Sequence, residues 1–357
     1  MKKLSLVFII ISLLSISFVV DYTVETSYYS ELLSGINENN IDSALNVLPK
    51  RNSVDILEMG VQMNKEKKEF SLTDAEAAYL VYKWIGQNIE VDCSDDKIDI
   101  INAINTYKSG KSNYQGISLL FKMMCLLLDI QSDSIHGIIK KLVKNGKIVD
   151  VQEYIWNYII IKDKTYLVDA SMGPGFCEGN EFLKRYTDFF FATKPEFFIR
   201  SHLPDESKFQ FLNNAINTNE FNSKAFLRHY FYLNGFKNIS PDKAILGLND
   251  NIKIVLNYIE SITDMKIDVK YVTFDGWNYN YQKYEDFVYS GGHLSISLNL
   301  SKYGKNVCGF IIYAGRKSDS TIPSIVNFDV TYTGKIAKIF LNNGDVLKFK
   351  KNIRNDN

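Results

Sequence analysis

The first half of the chain carries apolar residues at helical spacing. After Thr73 they recur every three or four positions, which predicts a helix with one buried stripe. Thr73 and Glu76 fit a capping box at its start, since each side chain can bond the other's backbone amide. Trp84 lies on the stripe and is predicted to be a core residue. The stripe consists of Ala77, Leu80, Val81, Trp84 and Ile85.

Residues 115–130 are apolar at almost every position. A helix with almost no polar face has to be buried on nearly all sides. We therefore predict the central helix of the fold here, with Cys125 as a structural residue inside it. Upstream, residues 28–64 have a helical pattern that breaks at Pro49, and residues 65–68 form a charged run that is predicted to be solvated.

Short strands are predicted after the central helix. Residues 134–142 form one strand, and residues 156–161 pair with residues 166–170 as a hairpin across Lys162, Asp163 and Lys164.

Beyond residue 240 the apolar residues alternate with polar ones instead. Such runs, separated by turn residues, are typical of an antiparallel β-sandwich. The predicted strands are residues 251–259, 267–274, 293–300, 307–313 and 325–332.

Three segments have the order of a known active-site pattern. They are Tyr114-Gln115-Gly116-Ile117-Ser118-Leu119-Leu120-Phe121, Tyr154-Ile155-Trp156-Asn157 and Val168-Asp169-Ala170-Ser171. They resemble the segments Cys-x-Gly-Tyr-Ala-x-Leu-Phe, His-Ala-Trp-Asn and Asp-Ala-Thr-Trp of the transglutaminase-like, papain-related family. Upstream, residues 73–92 resemble the entry helix of that family and its end. Downstream, residues 171–175, 190–196 and 201–204 resemble the tail of its kyphoscoliosis-peptidase-like branch, so the resemblance spans residues 60–215.

The resemblance implies an α+β fold. A papain-like transglutaminase core, with the central helix packed on a small antiparallel sheet, would be followed by an immunoglobulin-like β-sandwich. The domains expected are a signal peptide or anchor at residues 1–20, a helical extension at 21–70, a transglutaminase-like domain at 71–220 and a β-sandwich at 240–357.

The same match implies a degenerate catalytic triad. It gives the nucleophile position to Tyr114 and the base position to Tyr154, while the orienting acid is retained as Asp169. A thiolate is the nucleophile in this chemistry, and an imidazole takes its proton. A phenol, whose ordinary pKa is about 10, is a weak nucleophile and a poor proton shuttle. The tyrosines therefore predict a protein without catalysis and a structural, hydrogen-bonded Asp169.

Two other residues could replace the missing nucleophile or base. His136 on the strand after the helix could flank the cleft, but a lone histidine on a strand favours a structural role. Cys177 follows a glycine-proline turn after Asp169 and is the candidate for a relocated nucleophile. Further cleft-lining candidates are Gln115, Trp156 and Asn157, whereas His202 is expected to cap or pack.

An aromatic cluster in the second half offers a possible binding platform. Trp277, Tyr279 and Tyr281 alternate along the chain, so they share one strand face. Exposed aromatic rings would bind sugar or peptide. Buried, the same rings would be ordinary sandwich core, and the sequence leaves both readings open.

The N-terminus and the composition limit the remaining functions. Lys2 and Lys3 precede an uncharged apolar stretch at residues 4–20, which predicts export or an N-terminal membrane attachment. With 41 basic and 41 acidic residues, nothing favours nucleic acid as a partner. The four cysteines have no CxxC spacing and no paired histidines, so we expect neither a metal site nor a cofactor, and no disulfide framework.

Two functions therefore remain open. The first is an exported pseudoenzyme, secreted, periplasmic or at the cell surface, that binds or scaffolds protein, peptide or glycan. The second is an active cysteine-type amidase or peptidase with a relocated nucleophile.

Overall fold

The computed structural model describes most of the chain. The ranges are residues 31–94, 101–142, 149–178, 181–247, 251–258, 265–275, 278–290, 293–304, 306–318 and 322–331. The predicted signal or anchor at residues 1–20 lies outside them. Within these ranges, no helix combines the length and apolar character needed to cross a membrane.

The helices are concentrated in the first half. They are α1 Glu38–Val47, α2 Ile56–Glu69, α3 Asp74–Asn88, α4 Ala103–Ser109, α5 Tyr114–Leu127, α6 Pro195–Phe198, α7 Thr218–Ser223 and α8 His229–Leu233, with 3-10 turns at Arg51–Ser53, Ser207–Gln210 and Leu300–Tyr303.

The strands divide into two groups along the chain. The first group is β1 Glu90–Val91, β2 Lys111–Ser112, β3 Gln131–Leu142, β4 Val149–Ile161, β5 Lys164–Val168, β6 Gly175–Glu178, β7 Glu181–Lys184, β8 Phe191–Thr193 and β9 His202–Pro204. The second group is β10 Phe226–Leu227, β11 Phe236–Ser240, β12 Ile245–Gly247, β13 Ile252–Tyr258, β14 Met265–Phe274, β15 Tyr279–Lys283, β16 Phe287–Ser290, β17 His293–Leu298, β18 Val307–Arg316 and β19 Ser324–Thr331.

Local signals placed several elements correctly. The capping box is present, with Thr73 accepting from the Glu76 amide and Glu76 bonding back to the Thr73 amide. Trp84 is 2% exposed and stacks on Tyr107, so the prediction of a core residue is confirmed. The hairpin of β4 and β5 pairs Asn157 with Val168, also as predicted.

The central helix packs against an antiparallel sheet of order β8-β5-β4-β3-β9. Its buried side holds Ile117, Leu120, Phe121, Met124 and Cys125, within one hydrophobic core that extends from Ile41 to Phe198. The helix is less enclosed than predicted, because Leu126 is 52% exposed. The charged run at residues 65–68 belongs to the last turns of α2, where Glu66 is buried rather than solvated.

The second half consists of two sheets around a second core. One sheet has the order β10-β19-β18-β14-β15 with β12 beside β19, and the other has the order β11-β13-β17-β16. Phe310 and Phe328 of the first sheet and Leu256 and Ile296 of the second belong to the same buried cluster. Pairing begins at Phe226, which lies opposite Asn327, so residues before 240 already belong to this unit. The molecule is thus a mixed fold of helices and sheets.

Candidate functional site

The N-terminus of α5 places Tyr114 at the expected end of the central helix. Asn113 caps the helix by accepting from the Gly116 amide at 3.1 Å. A Cβ at Gly116 would lie 2.1 Å from Ser112 Oγ, so only glycine allows the preceding strand to pack this closely. This tight connection holds Tyr114 as the first residue of the helix.

Tyr114 and Tyr154 form a stacked pair. Their ring centroids are 4.4 Å apart with an angle of 26° between the planes. Tyr154 comes from β4 and is 7% exposed, while Tyr114 is only partly buried. The two rings therefore fill the space between the helix start and the sheet, where the resemblance puts a nucleophile and its base.

Asp169 follows β5 and is 1% exposed. Its Oδ1 accepts from Ser171 Oγ at 2.7 Å, from the Ser171 amide at 3.0 Å and from the Met172 amide at 3.2 Å. Its Oδ2 lies 3.0 Å from His202 Nε2. These bonds compensate for the burial of the carboxylate, which would otherwise be costly.

Tyr154 reaches this carboxylate through Ser171. The Tyr154 and Ser171 hydroxyls are 2.5 Å apart. Because Ser171 Oγ donates to Asp169, it accepts the Tyr154 proton. Burial, followed by the nearby Asp169 carboxylate, raises the pKa of Tyr154 well above its ordinary value. The phenol is thus held protonated as a donor and cannot accept a proton as a base would.

The sequence indicates a capping or packing role for His202 but not its contact with Asp169. His202 is 1% exposed and lies on β9, which pairs with β3 next to Gly137. Its Nε2 lies 3.0 Å from Asp169 Oδ2, and its Nδ1 lies 2.7 Å from Ser201 Oγ, which also donates to the Phe198 carbonyl. Its ring stacks on Phe198 with a centroid distance of 4.0 Å. Both ring nitrogens are therefore engaged, inside the core.

The close approach of β9 depends on Gly137. A Cβ there would lie 2.2 Å from the Leu203 carbonyl oxygen and 2.6 Å from the Trp156 ring. The Ser-His-Leu-Pro segment can be recognised in the sequence, but its pairing with β3 cannot.

The other predicted cleft residues are dispersed. Trp156 and Asn157 are buried in the core, where Asn157 Nδ2 donates to the Ser118 carbonyl. Gln115 is partly buried beside Tyr114, and His136 is exposed on β3. Trp156 packs edge-on against His202, with ring centroids 5.2 Å apart.

Cys177 is bonded to Cys93 in a disulfide. This corrects two expectations: Cys177 is not a free nucleophile, and the cysteines do form a cross-link. The partners are 84 positions apart, and no spacing signal in the sequence connects them. The bond joins the segment after β1 to β6.

The remaining two cysteines are poor nucleophiles. Burial raises the pKa of the fully buried Cys125 thiol, in agreement with its predicted structural role, and raises the pKa of Cys308 to about 11. A cysteine is reactive as its thiolate. Since the chain has four cysteines in all, none offers an accessible thiolate.

The described residues contain no group of three or more histidine, cysteine, aspartate or glutamate side chains arranged to hold a metal ion.

The predicted aromatic platform is only partly described. Tyr281 lies on β15 and is 56% exposed. Tyr279 lies on the same strand, and Trp277 lies outside the described residues. Tyr284, three positions after Tyr281, is fully buried, so the aromatic residues of this segment divide between surface and core.

The chain has distant relatives among known proteins. Kyphoscoliosis peptidase from Homo sapiens is 25% identical over 181 residues, and that from Mus musculus is 24% identical over the same length. Each match covers 49% of this chain and 27% of the relative, so the chain spans about a quarter of the curated relatives it matches. No protein-family model matches the chain. The chain is thus weakly homologous to a transglutaminase-like peptidase.

Two solved structures are also similar. A "Putative Cysteine Protease" from Cytophaga hutchinsonii is 19% identical, with 43% of this chain and 48% of that one covered and a TM-score of 0.24. A "Putative Protease" from Parabacteroides distasonis is 13% identical, with 72% and 52% covered and a TM-score of 0.26. Since both TM-scores lie below 0.5, the fold rests on the elements and contacts described above.

Proposed function

We propose that this chain is an exported, catalytically inactive transglutaminase-like protein that acts by binding protein, peptide or glycan. In this proposal Tyr114 and Tyr154 replace the catalytic cysteine and histidine. The observation that carries it is the stacked pair of Tyr114 and Tyr154. The Tyr154 hydroxyl is hydrogen-bonded to Ser171, which in turn donates to Asp169. A nucleophile and its base act as one unit, so loss of both removes the mechanism.

The cysteines support the same conclusion. A relocated thiol nucleophile would have to come from four residues, of which two form the disulfide and two have raised pKa values. His202 does not take the base position either, because it lies on β9 inside the core, with Nε2 3.0 Å from Asp169 Oδ2 and Nδ1 2.7 Å from Ser201 Oγ.

Two observations support export. Residues 4–20 form an apolar stretch behind two lysines, as in a secretory signal or a membrane attachment. The Cys93–Cys177 disulfide favours an oxidising compartment, where such bonds persist. We therefore place the protein outside the cytoplasm, secreted, periplasmic or attached to the cell surface.

Within this proposal the chain has two main domains. Residues 71–220 form the transglutaminase-like domain, and the two sheets that share a core from Phe226 onwards form an immunoglobulin-like sandwich.

The test is an activity assay on the purified full chain. We expect no thiol-dependent amide hydrolysis or amide transfer, and no labelling by electrophilic cysteine-peptidase inhibitors, with an active papain-type enzyme as assay control. The assay is run with and without reductant, because reduction would free Cys177. Thiol-dependent turnover that disappears in Cys177→Ala would show that the enzyme reading is correct and the proposal wrong.

A further inference from the structure

The chain consists of a first unit, up to β9, and a second unit, from β10 onwards, and the segment that joins them ends at Ala225. Lys140 on β3 donates through Nζ to the carbonyls of Phe221 at 2.6 Å and Lys224 at 2.9 Å. Arg200 follows α6 and donates through Nη2 to the Ala225 carbonyl at 2.7 Å. Side chains of the first unit therefore fix the last residues of the joining segment.

Asp242 holds the same segment from the second unit. It lies between β11 and β12, and its Oδ1 accepts from the Ala225 amide at 3.2 Å. Its two carboxylate oxygens also accept from Arg200, from Nη1 at 2.7 Å and from Nη2 at 2.5 Å. Two parallel hydrogen bonds add geometric specificity to the energy of such a pair. We call Arg200 and Asp242 the latch pair.

The latch pair is more shielded from solvent than an ordinary surface ion pair. The Arg200 side chain is 11% exposed and that of Asp242 is 29% exposed. Exposed ion pairs contribute little to stability, whereas removing one partner of a buried pair leaves a charge without compensation. Burial alone would raise the pKa of Asp242, but the hydrogen bonds and charge of Arg200, followed by Lys224, outweigh burial and lower it. The carboxylate is therefore held charged at the junction of the two units.

Asp242 also balances the cations around it. Lys224 Nζ lies 3.4 Å from Asp242 Oδ2. Burial and then Arg200 lower the pKa of Lys140 to about 7, and Asp242 opposes this shift, whereas Lys224 adds to it. Lys140, Arg200 and Lys224 thus face the same carboxylate. Without its charge the three cations would repel one another across the junction.

Ring contacts add apolar area to the junction. Tyr232 of α8 stacks on Phe197 with centroids 4.2 Å apart, and on Phe189 with centroids 5.8 Å apart. Two units of one chain move relative to each other by default unless their contact is large and hydrophobic. The rings supply part of the contact, and the latch pair supplies directional bonds that favour one arrangement of the units.

The latch pair is connected to the Asp169 site through the backbone. Arg200 is followed directly by Ser201 and His202. Ser201 Oγ lies 2.7 Å from His202 Nδ1, and the Ser201 carbonyl accepts from the Lys140 amide at 2.9 Å. His202 Nε2 in turn lies 3.0 Å from Asp169 Oδ2. A shift of Arg200 would therefore displace the residues that hold His202 against Asp169.

We propose that the latch pair makes the two units one cooperative body and couples their junction to Asp169. With the pair closed, the chain unfolds as a whole and Asp169 keeps its hydrogen bonds. With the pair broken, the second unit unfolds separately and the bonds to Asp169 loosen. A ligand that binds better to the closed arrangement, on either unit, shifts the whole chain towards it. The latch does not depend on whether the chain is catalytic.

The experiment is differential scanning calorimetry of the full chain. We expect one unfolding transition for the parent and two separate transitions for Asp242→Asn, because the cations at the junction then lack the charge that holds them together. Asp268→Asn is the matched control. Asp268 is also 29% exposed and pairs with a lysine, Lys270 at 3.5 Å, but both residues lie on β14 within the second unit. This variant should keep one transition.

A second variant tests the geometry of the latch pair rather than its charge. Arg200→Lys keeps the cation but loses the planar fork, so it cannot bond both oxygens of Asp242 and the Ala225 carbonyl at once. It should also give two transitions, and it decides the question if Asp242→Asn does not fold. A single transition in the folded latch variants, or two transitions in the parent, would overturn the proposal.

Amide hydrogen exchange tests the coupling to Asp169. The amides of Ser171 and Met172 donate to this carboxylate. Well below the first unfolding transition, they should exchange roughly tenfold faster in the latch variants than in the parent, since local opening sets the exchange rate. Asp268→Asn should exchange as the parent does. Exchange at Ser171 and Met172 that stays at the parent rate in the latch variants would overturn the coupling.

Discussion

His202 Nε2 lies 3.0 Å from Asp169 Oδ2, so the retained acid has a histidine partner from outside the expected motif. The pattern would orient a histidine at position 154 on β4, whereas this one comes from β9, across β3. Both residues of the pair are buried. Asp169 therefore serves as a point where the loop after β5, Tyr154 and β9 are joined.

This role predicts a stability effect for Asp169→Ala. The substitution leaves the Ser171 and Met172 amides and His202 without their acceptor in a buried place. We expect the free energy of unfolding to fall by roughly 1–3 kcal/mol, measured by urea denaturation.

Asp205→Ala is the matched control for that measurement. Asp205 is exposed, and no side-chain bond to it occurs among the described residues, so this variant should unfold like the parent. An Asp169→Ala protein that is fully stable but loses a measurable activity would mean that the acid is catalytic.

Tyr154→Phe tests the hydroxyl separately from the ring. The ring can still stack on Tyr114, but Ser171 loses the donor at 2.5 Å. We expect a loss of about 1 kcal/mol in the free energy of unfolding. Tyr158→Phe is the control, because Tyr158 is a partly buried β4 tyrosine that stacks on Phe209. Equal losses in the two variants would speak against a specific Tyr154–Ser171 bond.

The sequence predicted what is local and missed what is distant. The capping box at Thr73, the β4–β5 hairpin and the five strands expected after residue 240 all rest on contacts between near neighbours or on strand periodicity. The His202–Asp169 bond joins residues 33 positions apart, and its formation depends on β9 pairing with β3. The disulfide partners lie 84 positions apart. Neither the His202–Asp169 bond nor the disulfide can be predicted from a regular spacing of residues along the chain.

The disulfide makes a prediction of its own. Cross-linking residues that far apart restricts the unfolded chain, so the double substitution Cys93→Ser with Cys177→Ser should lower the free energy of unfolding by roughly 2–5 kcal/mol. Reduced parent protein should match the double variant, and peptide mapping without reductant should recover the linked Cys93 and Cys177 peptides. Mapping that finds both thiols free in oxidised protein would contradict the bond.

Lys140 predicts a dependence of stability on pH. It is a 4% exposed lysine on β3 whose Nζ donates to the carbonyls of Phe221 at 2.6 Å and Lys224 at 2.9 Å, so it ties the end of α7 to the sheet. Burial, and then the neighbouring Arg200, lower the pKa of Lys140 to about 7, while Asp242 acts in the opposite direction. Between this value and the ordinary lysine pKa, the unfolded chain binds more protons than the folded one.

Stability should therefore rise with pH across that window. The contribution of Lys140 is unfavourable below pH 7, where the buried amine has to carry its charge, and is relieved as the pH rises towards 10. Urea denaturation at pH 7.5 and 9 should show the parent gaining on Lys140→Met by at most about 1.4 kcal/mol per pH unit, the limit for one proton. Lys141→Met is the control, because Lys141 is the next residue on β3 but is only partly buried and donates to Gln152. That variant should keep the pH slope of the parent. Parallel pH curves for the parent and Lys140→Met would show that Lys140 stays charged in the folded protein, held by its two carbonyl acceptors.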